Sequence, residues 1–202
     1  MSSITPPPLP RSQRTGLNKA SKLIIGLALL QAGFIGLLIA LRLLGLLRPF
    51  SVPTSTMKPA VSAGDHVVVE NFSFLFREPR RGDVVVFKSD GIAMLPPQTC
   101  YVKRITGEPN DHVCISEDKL FINEKQVSLS NAVGEISYVL PQGQNAFLLH
   151  TNVTVPKGCY YVLGDNSTNS LDSRHYGIVS RGNIIGRVSF CYWPPGRIGK
   201  VK

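Results

Sequence analysis

Nineteen consecutive residues without a charge, from Leu23 to Leu41, constrain this chain more than any other feature, and only Gln31 interrupts them with a strongly polar group. At about 1.5 Å per residue, a helix of that length comes close to the roughly 30 Å hydrocarbon core of a bilayer. A cleaved secretory leader has a shorter apolar core, about 7–15 residues, and a small-residue cleavage site after it. Here Arg42-Leu43-Leu44-Gly45-Leu46-Leu47-Arg48-Pro49 follows instead. Nor does the run offer the polar face of a helix packed on a soluble core. It is therefore expected to be a retained transmembrane helix, residues 23–47, behind a basic, proline-containing, disordered tail, residues 1–22.

Charge gives that anchor a direction. Arg11, Arg14, Lys19 and Lys22 precede it with no acidic residue, so the amino terminus is expected to stay on the cytoplasmic side of a bacterial-type plasma membrane, with residues 48–202 extracytoplasmic. Arg42 and Arg48 run weakly against this orientation and are expected to snorkel to headgroups. The formal net charge of +9 suggests a nucleic-acid binder only until it is divided. Residues 1–48 hold six of the 22 basic residues and no acid, which leaves 16 basic against 13 acidic groups, a surplus of +3, for the rest. No basic run remains there, and no nucleic-acid partner is expected.

Past the anchor, short β-branched and aromatic runs alternate with Gly, Pro, Asn and Asp. The runs are residues 66–69, 83–87, 101–105, 113–115, 119–122, 159–163 and 184–188. No sustained helical period appears. The expected architecture is mainly β: one N-terminal transmembrane helix followed by a largely antiparallel, β-barrel-like domain, residues 48–202. Residues 128–155 are polar and irregular, as in an insertion away from the core. Asn71-Phe72-Ser73-Phe74-Leu75-Phe76 suits either the barrel core or a membrane surface. Cys100, Cys114, Cys159 and Cys191 lack C-x-x-C spacing, so no metal is expected; Cys100 and Cys114 flank a hairpin, and a disulfide or free thiols are both compatible with the pattern.

Four stretches carry chemistry. In Pro53-Thr54-Ser55-Thr56-Met57-Lys58-Pro59, strand alternation would place the Thr54 and Thr56 hydroxyls on one face and Ser55 on the other. In Tyr101-Val102-Lys103-Arg104-Ile105, alternation sets Lys103 and Arg104 on opposite faces, so one of them must meet the less solvated side. A buried lysine loses its proton more readily and can serve as a base. Arg81-Gly82-Asp83-Val84-Val85-Val86-Phe87 reads as a turn and a buried strand. Gly164-Asp165-Asn166, continuing through Ser170, Asp172 and Arg174 to Gly177, is too polar for core and dense enough in short hydrogen-bonding groups to order a site.

In this order, behind one anchor, these stretches closely resemble the type I signal peptidases (leader peptidases), which read P-S-x-S-M-x-P, R-G-D-[IV]-V-V-F, K-R-[IV]-x-G-x-P-G-D and G-D-N-x-x-x-S-x-D-S-R-x-x-G. The resemblance runs over residues 49–199 and includes Trp193-Pro194-Pro195-Gly196-Arg197-Ile198-Gly199. It implies a membrane-bound endopeptidase that removes signal peptides from exported preproteins without a cofactor. Lys103 matches the general base and Thr56 the nucleophile. Thr54 matches the hydroxyl that shares the oxyanion hole with the backbone N–H of Thr56. Ser170 matches a serine that orients the lysine, and Asp172 with Arg174 a supporting charged pair. Val52, Pro53, Met57, Tyr101 and Val102 fall where the family builds shallow pockets for small residues. The implied partners are preprotein signal peptides and the lipid bilayer.

Two positions depart from the family pattern. Asn110 stands for the Gly of the G-x-P-G-D turn; Asn tolerates left-handed dihedrals well. At the nucleophile stands Thr56 instead of serine. Its methyl fixes χ1 and crowds the line of attack, yet the hydroxyl remains. Three readings stay open at this point: Thr56 attacks, Ser55 takes over, or the chain binds substrates without cleaving them. A specialised conjugative-pilin-type peptidase of the same superfamily is a further alternative, although its nucleophile segment lacks the Met57-x-Pro59 spacing.

Overall fold

A computed structural model describes residues 18–131, 133–140 and 149–201 of the chain. Two units separate, Met1–Ala40 and Leu41–Lys202. Helix α1, Lys19–Leu43, makes up the described part of the first and runs into the second; it buries none of its 25 residues and is long and apolar enough to cross a membrane. Its ends follow from capping chemistry. The Asn18 carboxamide oxygen accepts from the Ser21 N–H at 2.7 Å, as an N-cap does. At the other end Gly45, at φ +70°, donates its N–H to Arg42 O, and a left-handed glycine stops a helix. Residues 19–22, expected in the tail, therefore begin the helix, and Leu47, expected to end the anchor, instead begins the first strand.

The second unit is mainly β, with every strand pair antiparallel. Strands β1 (Leu47–Ser51), β2 (His66–Glu70), β3 (Val84–Lys88), β4 (Cys100–Gly107), β5 (His112–Ser116), β6 (Lys119–Ile122), β7 (Lys125–Gln126), β8 (Asn152–Thr154) and β9 (Cys159–Leu163) come first. The one-turn helix α2 (Ser173–Tyr176), β10 (Val179–Ser180), β11 (Ile184–Trp193) and β12 (Gly199–Lys200) complete the order. The larger sheet runs β1-β2-β11-β3-β4-β9-β10, with β12 on β11, and the smaller runs β7-β6-β5-β8. Register shifts in β11 against both β2 and β3 are bulges, which bend a sheet and raise its twist. The sheet is thus curled into half a barrel and left open at β1 and β10. Pro49, which has no N–H for an inner ladder, sits on the edge strand β1, where it is tolerated.

The run of valines in β3 is explained by burial on both faces. Val84 and Val86 enter a core with Val52, Met57, Val61, Val67, Val69 and Val188, while Val85 and Phe87 enter another with Ile105, Tyr160, Val162 and Val179. A third core joins the two sheets: Tyr161 and Leu163 of β9 pack with Val113, Ile115, Leu120 and Ile122. Asn110 adopts φ +71°, the left-handed turn for which it was expected to substitute.

One expectation changes, and two points that the sequence left open are decided. The 128–155 stretch is not remote: Ile136, Tyr138 and Val155 belong to the third core, although residues 141–148 lie outside the described part of the chain. It looked remote because its docking groups are scattered side chains and the Val139 carbonyl rather than a periodic pattern. The aromatic stretch after β2 divides, with Phe74 buried under the guanidiniums of Arg77 and Arg181 and Phe72, Leu75 and Phe76 exposed. All four cysteines are free thiols.

Candidate active site

Residues 52–59 leave the edge of the sheet as a pinned loop. The Val52 N–H donates to Asp65 O, and Val52 O accepts from Gly64. A turn follows, closed by Lys58 N–H on Ser55 O and Val61 N–H on Met57 O. Val52 and Met57 anchor it in the core. Thr56 is left half-buried and Thr54 exposed.

Lys103, on β4 opposite Val85, is 1% exposed, and its Nζ lies 3.0 Å from Thr56 Oγ1. The two residues expected to form the dyad are therefore in hydrogen-bond contact across 47 positions of sequence. Among the described residues, Ser55 engages with its carbonyl and not with its hydroxyl. Burial pulls the Lys103 ammonium down from the ordinary 10.5 to about 8; Asp172 and Asp165 push back and Arg174 adds to the fall. A base in that range exchanges protons readily near neutral pH. Alternation held for Lys103 and Arg104, but both faces of β4 proved dry. Arg104 is 2% exposed and forms a bidentate pair with Asp165, at 2.8 and 2.6 Å, with a further bond to Gly82 O. Planar guanidinium–carboxylate pairing is what allows such a charge to stay buried.

The polar loop after β9 supports the Thr56 segment. Asn166 donates its backbone N–H to Thr56 O at 3.0 Å and its side-chain amide to Ser55 O at 3.1 Å. This approach requires Gly164: a Cβ there would collide with Ser170 Oγ and stand 2.7 Å from Thr56 O. Asp172 accepts from Gly164 N and caps α2 at Arg174 N. Its carboxylate also takes two bonds from the Arg174 guanidinium, at 2.9 and 2.8 Å, both residues being fully buried. Arg174 goes on to Ser167 and to Val139 O.

The supporting pair inferred from the resemblance is thus formed. Ser170 differs: it is buried in the same loop, but its Oγ bonds neither Lys103 nor any other described group. Of the expected pocket residues, Val52, Met57 and Val102 share one cluster, Tyr101 stacks on Phe87 with centroids 5.8 Å apart, and Pro53 is exposed. Val52 and Met57 are core residues, so any pocket over them has a shallow floor. Sequence reasoning missed Asn166 and Gly164 as individual contributors, although both stood within the Gly164-Asp165-Asn166 stretch. It also missed Tyr138, which is buried within electrostatic reach of Asp165, Arg104, Asp172 and Arg174.

A family model for signal peptidase, peptidase S26, matches residues 24–193. Thylakoidal processing peptidase 1, chloroplastic, of Arabidopsis thaliana is 34% identical over 159 residues, covering 76% of this chain and 44% of that protein. The probable signal peptidase I-2 of Synechocystis sp. is 32% identical over 149 residues, 73% of this chain and 64% of that one. Signal peptidase I of Bacillus caldolyticus is 33% identical over 158 residues, 72% of this chain and 79% of that protein. The chain spans less than two thirds of the Arabidopsis and Synechocystis relatives. With a match that runs from the apolar helix through the polar loop, the chain belongs to the signal peptidase family, peptidase S26.

Proposed function

We propose that this protein is a membrane-bound endopeptidase that removes N-terminal signal peptides from exported preproteins by acyl transfer, with Thr56 as nucleophile and Lys103 as general base. The observation that carries this reading is the 3.0 Å contact between Thr56 Oγ1 and an almost fully buried Lys103 amine. At pH 7 about a tenth of Lys103 is neutral if its pKa stands near 8, and that fraction takes the Thr56 proton as the oxygen attacks the scissile carbonyl. The developing oxyanion is stabilised by the Thr56 N–H and the Thr54 hydroxyl, donors worth about 2.7–4 kcal/mol each. Lys103 then passes the proton to the leaving amine, and later activates the water that hydrolyses the acyl-threonine.

Substrate is held as an added strand. β9 pairs with β4 only from Arg104 onward, so on the side away from β3 Cys100–Lys103 have no partner strand among the described residues, and an extended peptide completes such an edge by main-chain bonds. The shallow floor over Val52 and Met57, flanked by Pro53, Tyr101 and Val102, favours small side chains before the cleaved bond. Helix α1 anchors the enzyme by a single pass with its amino terminus on the side that retains positive charge. Relatives from chloroplasts as well as bacteria widen the expected host membrane beyond the bacterial plasma membrane alone.

The test is cleavage of an alanine-x-alanine preprotein by the full chain in lipid. Wild type and Thr56→Ser cleave, while Thr56→Ala and Lys103→Ala are inert and Ser55→Ala keeps most activity. Cleavage by Thr56→Ala at the wild-type rate refutes the nucleophile assignment, and an inert wild type rescued by Thr56→Ser makes this chain a binding protein.

A further inference from the structure

We infer that Asn166 is a positioning residue for the oxyanion hole: its side-chain amide aims the Thr56 N–H by holding the carbonyl on the other side of the same peptide bond. The inference rests on the reading of Thr56 as nucleophile and extends it to a group that touches neither substrate nor base.

The Ser55–Thr56 peptide is planar and trans, so its C=O and N–H point in opposite directions. Ser55 O accepts from Asn166 Nδ2 at 3.1 Å and from Lys58 N–H at 3.2 Å, one donor for each of its lone pairs. Thr56 N–H makes no hydrogen bond among the described residues and, across the planar trans peptide, points away from the groups that hold Ser55 O. The next carbonyl, Thr56 O, accepts from Asn166 N at 3.0 Å, so a single residue fixes two successive peptide planes. Bonds in series also polarise one another, which strengthens the free N–H as a donor.

What Asn166 does not do supports the same conclusion. It is the N-cap of the 3-10 turn Ser167–Asn169, a position where the side chain ordinarily accepts from a backbone N–H of the first turn, yet its Oδ1 accepts there only from the Thr168 hydroxyl, at 3.5 Å. Its amide reaches instead across 111 positions of sequence. The role also requires an amide. An aspartate has the same shape but only acceptors, and would set a carboxylate oxygen against Ser55 O.

The decisive experiment compares Asn166→Asp and Asn166→Ala with wild type in the full chain, using a preprotein substrate and a peptide aldehyde whose hemiacetal places an oxyanion in the hole. Both variants keep the backbone bond to Thr56 O, and rates are normalised to the fraction folded by thermal melting. Asn166→Ala is expected to lose about 10- to 100-fold in kcat with KM within about twofold, and to bind the aldehyde more weakly by the same factor. Asn166→Asp is expected to lose more, with the acid limb of the pH profile near its wild-type position in the alanine variant. A kcat for Asn166→Asp equal to wild type, or a loss confined to KM, overturns the inference. If Thr56→Ala retains activity, the nucleophile reading falls and this inference with it; an inert Thr56→Ala beside a fully active Asn166→Asp removes the inference alone.

Discussion

Replacing Lys103 by methionine should make the protein more stable at neutral pH while abolishing its activity. A lysine ordinarily near 10.5 that is held at about 8 binds its proton less well in the folded state. At about 1.36 kcal/mol per pH unit, that difference corresponds to about 3 kcal/mol. Below pH 8 both the folded and unfolded chains carry the proton, so the native state bears the whole cost of a buried ammonium. Methionine matches the length of the stem and carries no charge. It forfeits the bond to Thr56 Oγ1, worth about 1 kcal/mol, so the net gain at pH 7 is about 2 kcal/mol. Between pH 8 and 10.5 the unfolded chain binds more protons than the folded one, so wild-type stability rises with pH relative to the variant. Above 10.5 the order reverses by the value of the lost hydrogen bond. The assay is urea unfolding of both full chains in detergent, followed by Trp193 fluorescence at several pH values; other titrating groups cancel in the difference. A variant less stable at pH 7, or a difference that does not change with pH, would refute the reasoning.

Three further outcomes follow from the surroundings of the dyad. Asp172→Asn removes the carboxylate that most opposes the fall of the Lys103 pKa and leaves Arg174 buried without its partner, so the acid limb of kcat/KM should move to lower pH. Unfolding measurements on the same variant should show a loss of about 3–5 kcal/mol. Gly164→Ala puts a methyl 2.7 Å from Thr56 O, a backbone atom that cannot swing aside; kcat should fall about 100-fold and stability by about 1–3 kcal/mol, seen in steady-state kinetics and urea unfolding. Tyr138→Phe deletes a buried hydroxyl that bonds no described group, so its melting temperature should rise, by the equivalent of about 1 kcal/mol, with kcat unchanged.

Much of the fold was legible because its strands are made of residues that say so. Seven β-branched or aromatic runs, each bounded by turn residues, coincide with β2, β3, β4, β5, β6, β9 and β11. β1 was hidden because Leu46 and Leu47 continue the apolar composition of the helix, and hydrophobicity alone does not announce a change of secondary structure. The dyad residues were named from ordered motifs, and alternation correctly separated Lys103 from Arg104. Alternation could not show that both faces of β4 are covered, since that depends on groups distant in sequence, Thr56 beside Lys103 and Asp165 with Gly82 O beside Arg104. Ser170 marks a different limit: its place in the polar loop followed from the motif, whereas its hydrogen bonding depends on tenths of an ångström. Val139 left no trace in sequence because its contribution is a carbonyl oxygen, which every residue has.

Under the proposed mechanism the threonine alters where the chemistry bears its cost. A β-branched residue has little choice of χ1, so it is the backbone of the loop that must aim the Thr56 hydroxyl at the lysine. Here Thr56 O and the preceding carbonyl are both held by Asn166, the flanking Val52 and Met57 are fixed in the core, and Oγ1 still reaches Lys103 at 3.0 Å. The backbone thus selects the rotamer that keeps the dyad together. Under the proposed mechanism the methyl group does not weaken the resting contact between base and nucleophile. Its effect falls on the space that an incoming carbonyl carbon must occupy, a demand that arises only as the bond forms. The same restriction of χ1 holds the hydroxyl ready for attack, so the residue that narrows the approach also removes a rotation that serine would have to freeze.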